Sequence, residues 1–116
     1  MEESILNTIK QLLGPGESYE PFNDDIVDAI NSSMFILWQL GVGPKGSPFK
    51  ITGPEEAWSD FVDEGTFEIV KDYIYNRVRL MFDPPSSSFL VENIDKQNAE
   101  FEWRMTVAHD EYGESQ

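Results

Sequence analysis

Tyr73-Ile74-Tyr75-Asn76-Arg77-Val78-Arg79-Leu80-Met81-Phe82-Asp83-Pro84-Pro85-Ser86-Ser87-Ser88-Phe89 holds a helix, its end and the start of the next helix. Ile74, Val78 and Met81 recur at the spacing of one helical face, and the stripe runs back through Val70 and Phe67. This pattern predicts a helix from Thr66 to Phe82, with Tyr73, Tyr75 and Phe82 widening its apolar side. Two consecutive prolines cannot carry a helix onward, and Pro84 disfavours helical geometry at Asp83. The serines that follow are candidate N-caps for a long last helix reaching Val107. Its apolar face comprises Leu90, Ile94, Gln97, Phe101, Met105 and Ala108, with Trp103 projecting elsewhere.

Toward the N-terminus, Gly53-Pro54-Glu55-Glu56 opens a short helix with Ala57, Trp58, Phe61 and Val62 on its inner face and Asp63-Glu64-Gly65 as its exit. Residues 41–53 contain four glycines and two prolines, which predicts an exposed loop with one short β-like segment at Phe49-Lys50-Ile51. Before it, Asn23 is a candidate N-cap for a helix ending at Leu40-Gly41. Ile26, Val27, Ile30, Met34, Leu37 and Trp38 form its wide buried stripe. The first helix spans Glu3 to Leu13, with Ile5, Leu6, Ile9, Leu12 and Leu13 on its face, and Gly14-Pro15-Gly16 stops it. The expected fold is therefore all-α: a small bundle of four or five helices with one long Gly/Pro-rich loop. Residues 1–109 form the helical unit and 110–116 a polar, acidic C-terminal tail. The expected core includes Ile9, Ile30, Leu37, Phe61, Ile74, Val78, Leu90 and Phe101.

Composition narrows the function. The chain has 116 residues, a size suited to one domain, and is 40% hydrophobic and 13% aromatic, enough for a packed core. It has no cysteine, so disulfides and thiolate chemistry are excluded. No apolar run approaches the roughly 18 residues that cross a bilayer, and the acidic Met1-Glu2-Glu3 is unlike a signal peptide. These features point to the cytosol. Eight basic residues against 22 acidic ones give a formal charge of −14. That balance argues against sequence-reading DNA binding and against docking on anionic lipid, because both need a basic footprint.

No constellation of catalytic or cofactor-binding residues is visible. His109 is the sole histidine and stands near the end of the last helix without a positioned partner. Asp60, Asp63 and Glu64 lack the alternating spacing of a calcium loop and read as a solvated helix end. Gly41-Val42-Gly43-Pro44-Lys45-Gly46 lacks the Gly-Lys-Ser/Thr order of a phosphate loop. Neither a metal nor a cofactor is expected, and the chain reads as a non-enzyme. The candidate functional residues are instead those suited to packing against other proteins. Arg77 and Arg79, two of only three arginines, lie about 200° apart on a helix, so one is expected to pair with an acid on the chain's own surface and the other to serve a neighbour. With Phe82 they are the candidate contact between copies. Asp83, Pro84 and Pro85 form a stiff corner that sets the direction of the last helix. Lys45 and Lys50 place two of the eight basic residues on the loop, where they can meet a partner. Trp103, with Arg104 beside it, has the composition of an interface anchor, and Tyr112 adds an aromatic group to the tail.

Tyr75-Asn76-Arg77-Val78-Arg79-Leu80-Met81-Phe82-Asp83-Pro84-Pro85-Ser86-Ser87-Ser88-Phe89 resembles the signature of the head–tail connector (adaptor) proteins of tailed bacteriophages. The similarity extends in order through Leu40-Gly41-Val42-Gly43-Pro44, Trp58-Ser59-Asp60-Phe61 and Glu102-Trp103-Arg104. It implies a structural protein of the virion neck, assembled in the host cytoplasm into a homo-oligomeric, twelve-fold ring below the portal. The implied partners are the portal protein, on which Trp103, Arg104 and Tyr112 would dock, and a neck stopper or tail-completion protein. DNA would pass through the ring without sequence-specific binding, which suits an acidic lining. The composition alone also permits a second reading, a small acidic protein that mimics DNA charge and binds a host nucleic-acid-binding protein.

Overall fold

Ser4 begins the first helix by accepting a hydrogen bond from the Asn7 N–H at 3.2 Å, which caps one of the donors left open at a helix start. The computed structural model describes residues 3–14, 22–82 and 84–108. The readings made for Asp83, His109, Tyr112 and the 110–116 tail fall outside them. Helix α1 runs Ile5–Leu13 and stops at Gly14, whose φ of 146° suits glycine and whose N–H bonds to the Lys10 carbonyl. Helix α2 spans Asn23–Gln39, α3 Trp58–Phe61, α4 Glu64–Phe82 and α5 Ser88–Ala108. Among the described residues 72% are helical and there is no strand, so the all-α expectation holds.

Several boundaries moved for identifiable reasons. The cap position of α2 is Phe22, and Asn23 is the first helical residue rather than the cap. The α3 helix is one turn long because the Asp60 carboxylate caps the Ala57 N–H at 3.0 Å, which sets its start at Trp58. Asp63 then accepts from both the N–H and the hydroxyl of Thr66, at 3.1 and 2.9 Å, and α4 starts at Glu64. The acidic exit of α3 is thus the entrance of α4. Ser87 accepts the Leu90 N–H at 3.4 Å and opens α5, as the serine run predicted.

Helices α1, α2 and α4 enclose the core: Ile5, Ile9, Ile26, Ile30, Met34, Leu37, Val70, Ile74 and Val78 are buried. Trp58 plugs one end. It is fully buried, donates its indole N–H to the Thr8 hydroxyl at 3.1 Å, and meets Phe67 edge-on at 5.3 Å between centroids. Truncating a side chain of this size to alanine typically costs about 3–5 kcal/mol. The backbone of 56–58 is tied to α1 as well, through Ile5 N–H to the Glu56 carbonyl and Trp58 N–H to the Glu3 carbonyl.

The 41–53 loop is only half the exposed segment that its composition predicted. Lys45, Gly46, Ser47 and Lys50 face solvent, but Ile51 is buried, and Val42 and Phe49 pack on the core. The Asn31 side chain clamps Ile51, accepting from its N–H at 2.8 Å and donating to its carbonyl at 2.9 Å. An amide side chain thus holds the backbone of Ile51, and no strand forms at 49–51. Further on, Glu56 receives the N–H and hydroxyl of Thr52 at 3.1 and 2.9 Å. Burial acts to raise the Glu56 carboxyl, but these bonds and its backbone donors hold it below its ordinary value.

Four residues placed on inner faces are outside: Leu12, Met81 at 60% exposure, Leu90 at 49% and Gln97. For Leu90 the register explains the difference. Asn76 meets Asn98, and Tyr73 meets Glu102, so α4 and α5 run antiparallel. Continued toward the corner, that register sets Leu90 level with Pro84 and Pro85, beyond the last turn of α4. Phe101 and Met105, farther along, do reach the core, Phe101 partly and Met105 fully.

Candidate interaction surface

The α4–α5 seam lies between the clefts of Arg77 and Arg79, and its chemistry is polar. Tyr73 donates its hydroxyl proton to Glu102 at 2.7 Å. Asn76 donates to Gln97 at 2.8 Å and to Asn98 at 3.2 Å. Asn76 and Asn98 are both buried, so the bond between them forms where water cannot replace it, while Gln97 is exposed. Burial raises the Tyr73 hydroxyl above its ordinary value, and the hydrogen bond to Glu102 adds to the effect against the opposing charge of Arg77. The bonds fix one register but leave few places for apolar side chains of α5 to go.

Arg77 and Arg79 lie on opposite sides of this seam, as their angular separation required. Arg77 lines a cleft of about 340 Å³ with Leu80, Met81, Asp95, Asn98 and Glu102. Its Nε donates to Ser33 on α2 at 3.2 Å, and its guanidinium sits 5.9 Å from the centre of the Tyr73 ring. Arg77 therefore ties α4 to α2. Arg79 lines the other cleft, of about 450 Å³, with Pro85, Leu90, Ile94, Lys96 and Glu100. Phe82 is half-buried against the core, Pro84 is exposed and Pro85 is half-buried. The structure thus brings Arg79 and Pro85 together at one corner and sets Arg77 apart from them.

Trp103 is 66% exposed on α5, while the neighbouring Arg104 pairs with Glu100 at 2.7 Å. Lys45 and Lys50 are exposed on the loop. Lys45 lines a third cleft, of about 320 Å³, with Trp38, Gly41, Gly43, Pro44 and Gly46. Sequence periodicity marked Trp103 as facing outward but did not mark Phe35 or Phe89. Phe35 is partly exposed beside Trp38, with 5.9 Å between ring centres, and Phe89 stands out at the start of α5. Both fall off the buried stripes of their helices, and that offset was the available signal.

Among the described residues no group of three or more His, Cys, Asp or Glu side chains is placed to hold a metal ion. Among the same residues no helix is long and apolar enough to cross a membrane. The arrangement provides clefts and exposed aromatic side chains, the equipment of protein–protein contact.

No curated protein and no solved structure matches the chain. A family described as phage connector protein matches residues 5–112, which takes in all five helices and the three clefts. The chain belongs to the phage connector protein family.

Proposed function

We propose that the chain is a structural subunit of the head–tail junction, assembled as a homo-oligomeric ring on the portal and joined below to a neck or tail-completion protein. The observation that carries this reading is the family match over residues 5–112. The surface supports it in kind. Exposed Phe35, Met81, Phe89, Leu90 and Trp103 lie on different elements, and a subunit with two different neighbours and a further partner needs several such patches. A formal charge of −14 suits a conduit, since an acidic wall does not hold the DNA backbone. In this reading the chain catalyses nothing and resides in the virion neck. Arg79 and Phe82 serve contacts between copies, the loop lysines meet a tail-side partner, and Trp103, Arg104 and the acidic 110–116 tail dock on the portal.

Sedimentation velocity of the chain alone and with purified portal rings tests the reading. The expected result is co-sedimentation with the rings and a multimer of uniform size. A chain that leaves portal rings unchanged, and instead forms a one-to-one complex with a DNA-binding protein, would overturn it.

A further inference from the structure

Helix α5 has one face turned away from its own chain. Phe89, Asn93, Lys96, Glu100, Trp103 and Val107 follow one another in alternating steps of four and three residues, which keeps them within about 40° of one line along the helix. Asn98 and Met105, which are buried, lie on the opposite side. Five of the six are exposed, Phe89 at 68%, and Val107 is half-buried. The helix packs chiefly on α4, so among the described residues no other helix covers this face. Alternating steps of four and three are the spacing of a seam between two helices.

The stripe matches itself when reversed. Laid antiparallel on a second copy and centred level with Asn98, Phe89 meets Val107, Asn93 meets Trp103 and Lys96 meets Glu100, each pair occurring twice. Apolar groups then close the two ends, and two lysine–carboxylate pairs fill the middle. Arg104 engages Oε1 of Glu100 at 2.7 Å, which leaves Oε2 to face Lys96 of the other copy. A slip of four residues one way would set Lys96 against Lys96, and the other way Glu100 against Glu100, so charge selects one register. Charge also selects the place. At −14 per chain, two copies repel over most of their surfaces, but on and beside this stripe the exposed Lys96 and Arg104 balance Glu92 and Glu100.

We infer that two copies of the free chain pair through this face, α5 antiparallel to α5, with Lys96 of each opposite Glu100 of the other. Such a contact uses the same patch on both copies and closes at two. Trp103 belongs to the stripe, so the pair and the proposed portal contact exclude each other. The inference does not depend on the ring reading. Two charge reversals at exposed positions test it. Lys96→Glu gathers four carboxylates at the centre of the pair and Glu100→Lys gathers four lysines. Each variant alone should pair about tenfold or more weakly in sedimentation equilibrium, while its thermal melt by circular dichroism stays cooperative. An equimolar mixture of the two sets opposite charges face to face again and should recover pairing to within about threefold of the unaltered chain. An unaltered chain that is monomeric at millimolar concentration would overturn the inference. So would pairing that both reversals leave intact, or a mixture that pairs no better than its components. Portal rings separate the two readings. A chain that never pairs but binds portal rings overturns the pairing alone, and if both reversals abolish that binding the face belongs to the portal. A chain that pairs as described and leaves portal rings unchanged supports the pairing and counts against the connector reading.

Discussion

Helix α4 is held on its two sides by different chemistry. Toward α1 and α2 it presents Val70, Ile74 and Val78, which are closed off from water among the isoleucines of the other two helices. Toward α5 it presents Tyr73 and Asn76, joined to Glu102, Gln97 and Asn98 by hydrogen bonds. Apolar packing is strong in aggregate and tolerant of direction, so it holds the bundle together. The polar seam contributes less net stability, since each bond replaces one to water, but it permits a single register. Among the described side chains of α5, only Asn98 and Met105 are buried, which leaves Phe89, Leu90 and Trp103 exposed to other molecules. The apolar side makes a fold, and the polar side positions an interface.

Substitutions on the two sides should therefore differ in kind. Ile74→Asp would put an unpaired charge in the closed side, a change worth on the order of 4–5 kcal/mol or more. Much of the stability of a typical domain lies within that range, so the variant should lose its cooperative thermal transition by circular dichroism. A variant that still melted sharply would break the contrast. On the seam, Asn76→Ala removes the donor to two amide oxygens and should cost about 1–3 kcal/mol without loss of helicity. A double-mutant cycle with Asn98→Ala should show coupling of about 0.5 kcal/mol or more, and strict additivity would mean that the pair does not define the register.

Alkaline pH probes the seam at a smaller scale. The Tyr73 hydroxyl is raised above its unfolded value of 10.0 by burial and by the bond to Glu102. Below that value the group is protonated in both states, and its contribution is fully present. As the pH rises past it, the unfolded chain releases the proton while the folded chain retains it, so stability falls until the folded group also ionises. Tyr73→Phe should flatten the loss of melting temperature between about pH 9 and 11, while lowering stability at neutral pH by about 1 kcal/mol. An unchanged alkaline slope would assign the loss to other groups.

The sequence displays the closed side of α4 far better than the seam, and for a physical reason. Ile74 and Val78 repeat at helical spacing and are apolar, so their burial is visible to any count of period. Asn76 and Asn98 are buried polar residues whose partners lie about twenty positions away, and nothing local marks them. The end of α4 before Pro84-Pro85 was legible because proline acts on its own backbone. Leu90 was misplaced because its stripe is real but the helix it should face has already ended. The 41–53 loop was misjudged because its anchor, Asn31, lies on another element and bonds through a side chain. Residues placed by their own helix were readable, and those placed by the meeting of two helices were not.

The smallest expected change in stability belongs to Trp103→Ala, and it tests the outer face of the same helix. Trp103 is two residues from both Phe101 and Met105, about 200° around α5 from each, and those two turn inward. Its indole is 66% exposed, so truncation leaves no cavity in the core and should alter stability by no more than about 0.5 kcal/mol. Arg104 beside it is held to Glu100 by a four-residue helical pair, an exposed bond worth about 0.3–0.5 kcal/mol, which the substitution leaves in place. A tryptophan with so little intramolecular role is suited to anchoring a partner, where its loss typically costs 2 kcal/mol or more, roughly thirtyfold in affinity. Co-sedimentation with portal rings should therefore weaken by about that factor, while the melting temperature stays nearly constant. Full binding by Trp103→Ala would place the portal contact elsewhere, and a large drop in melting temperature would mean that the outer face of α5 belongs to the fold after all.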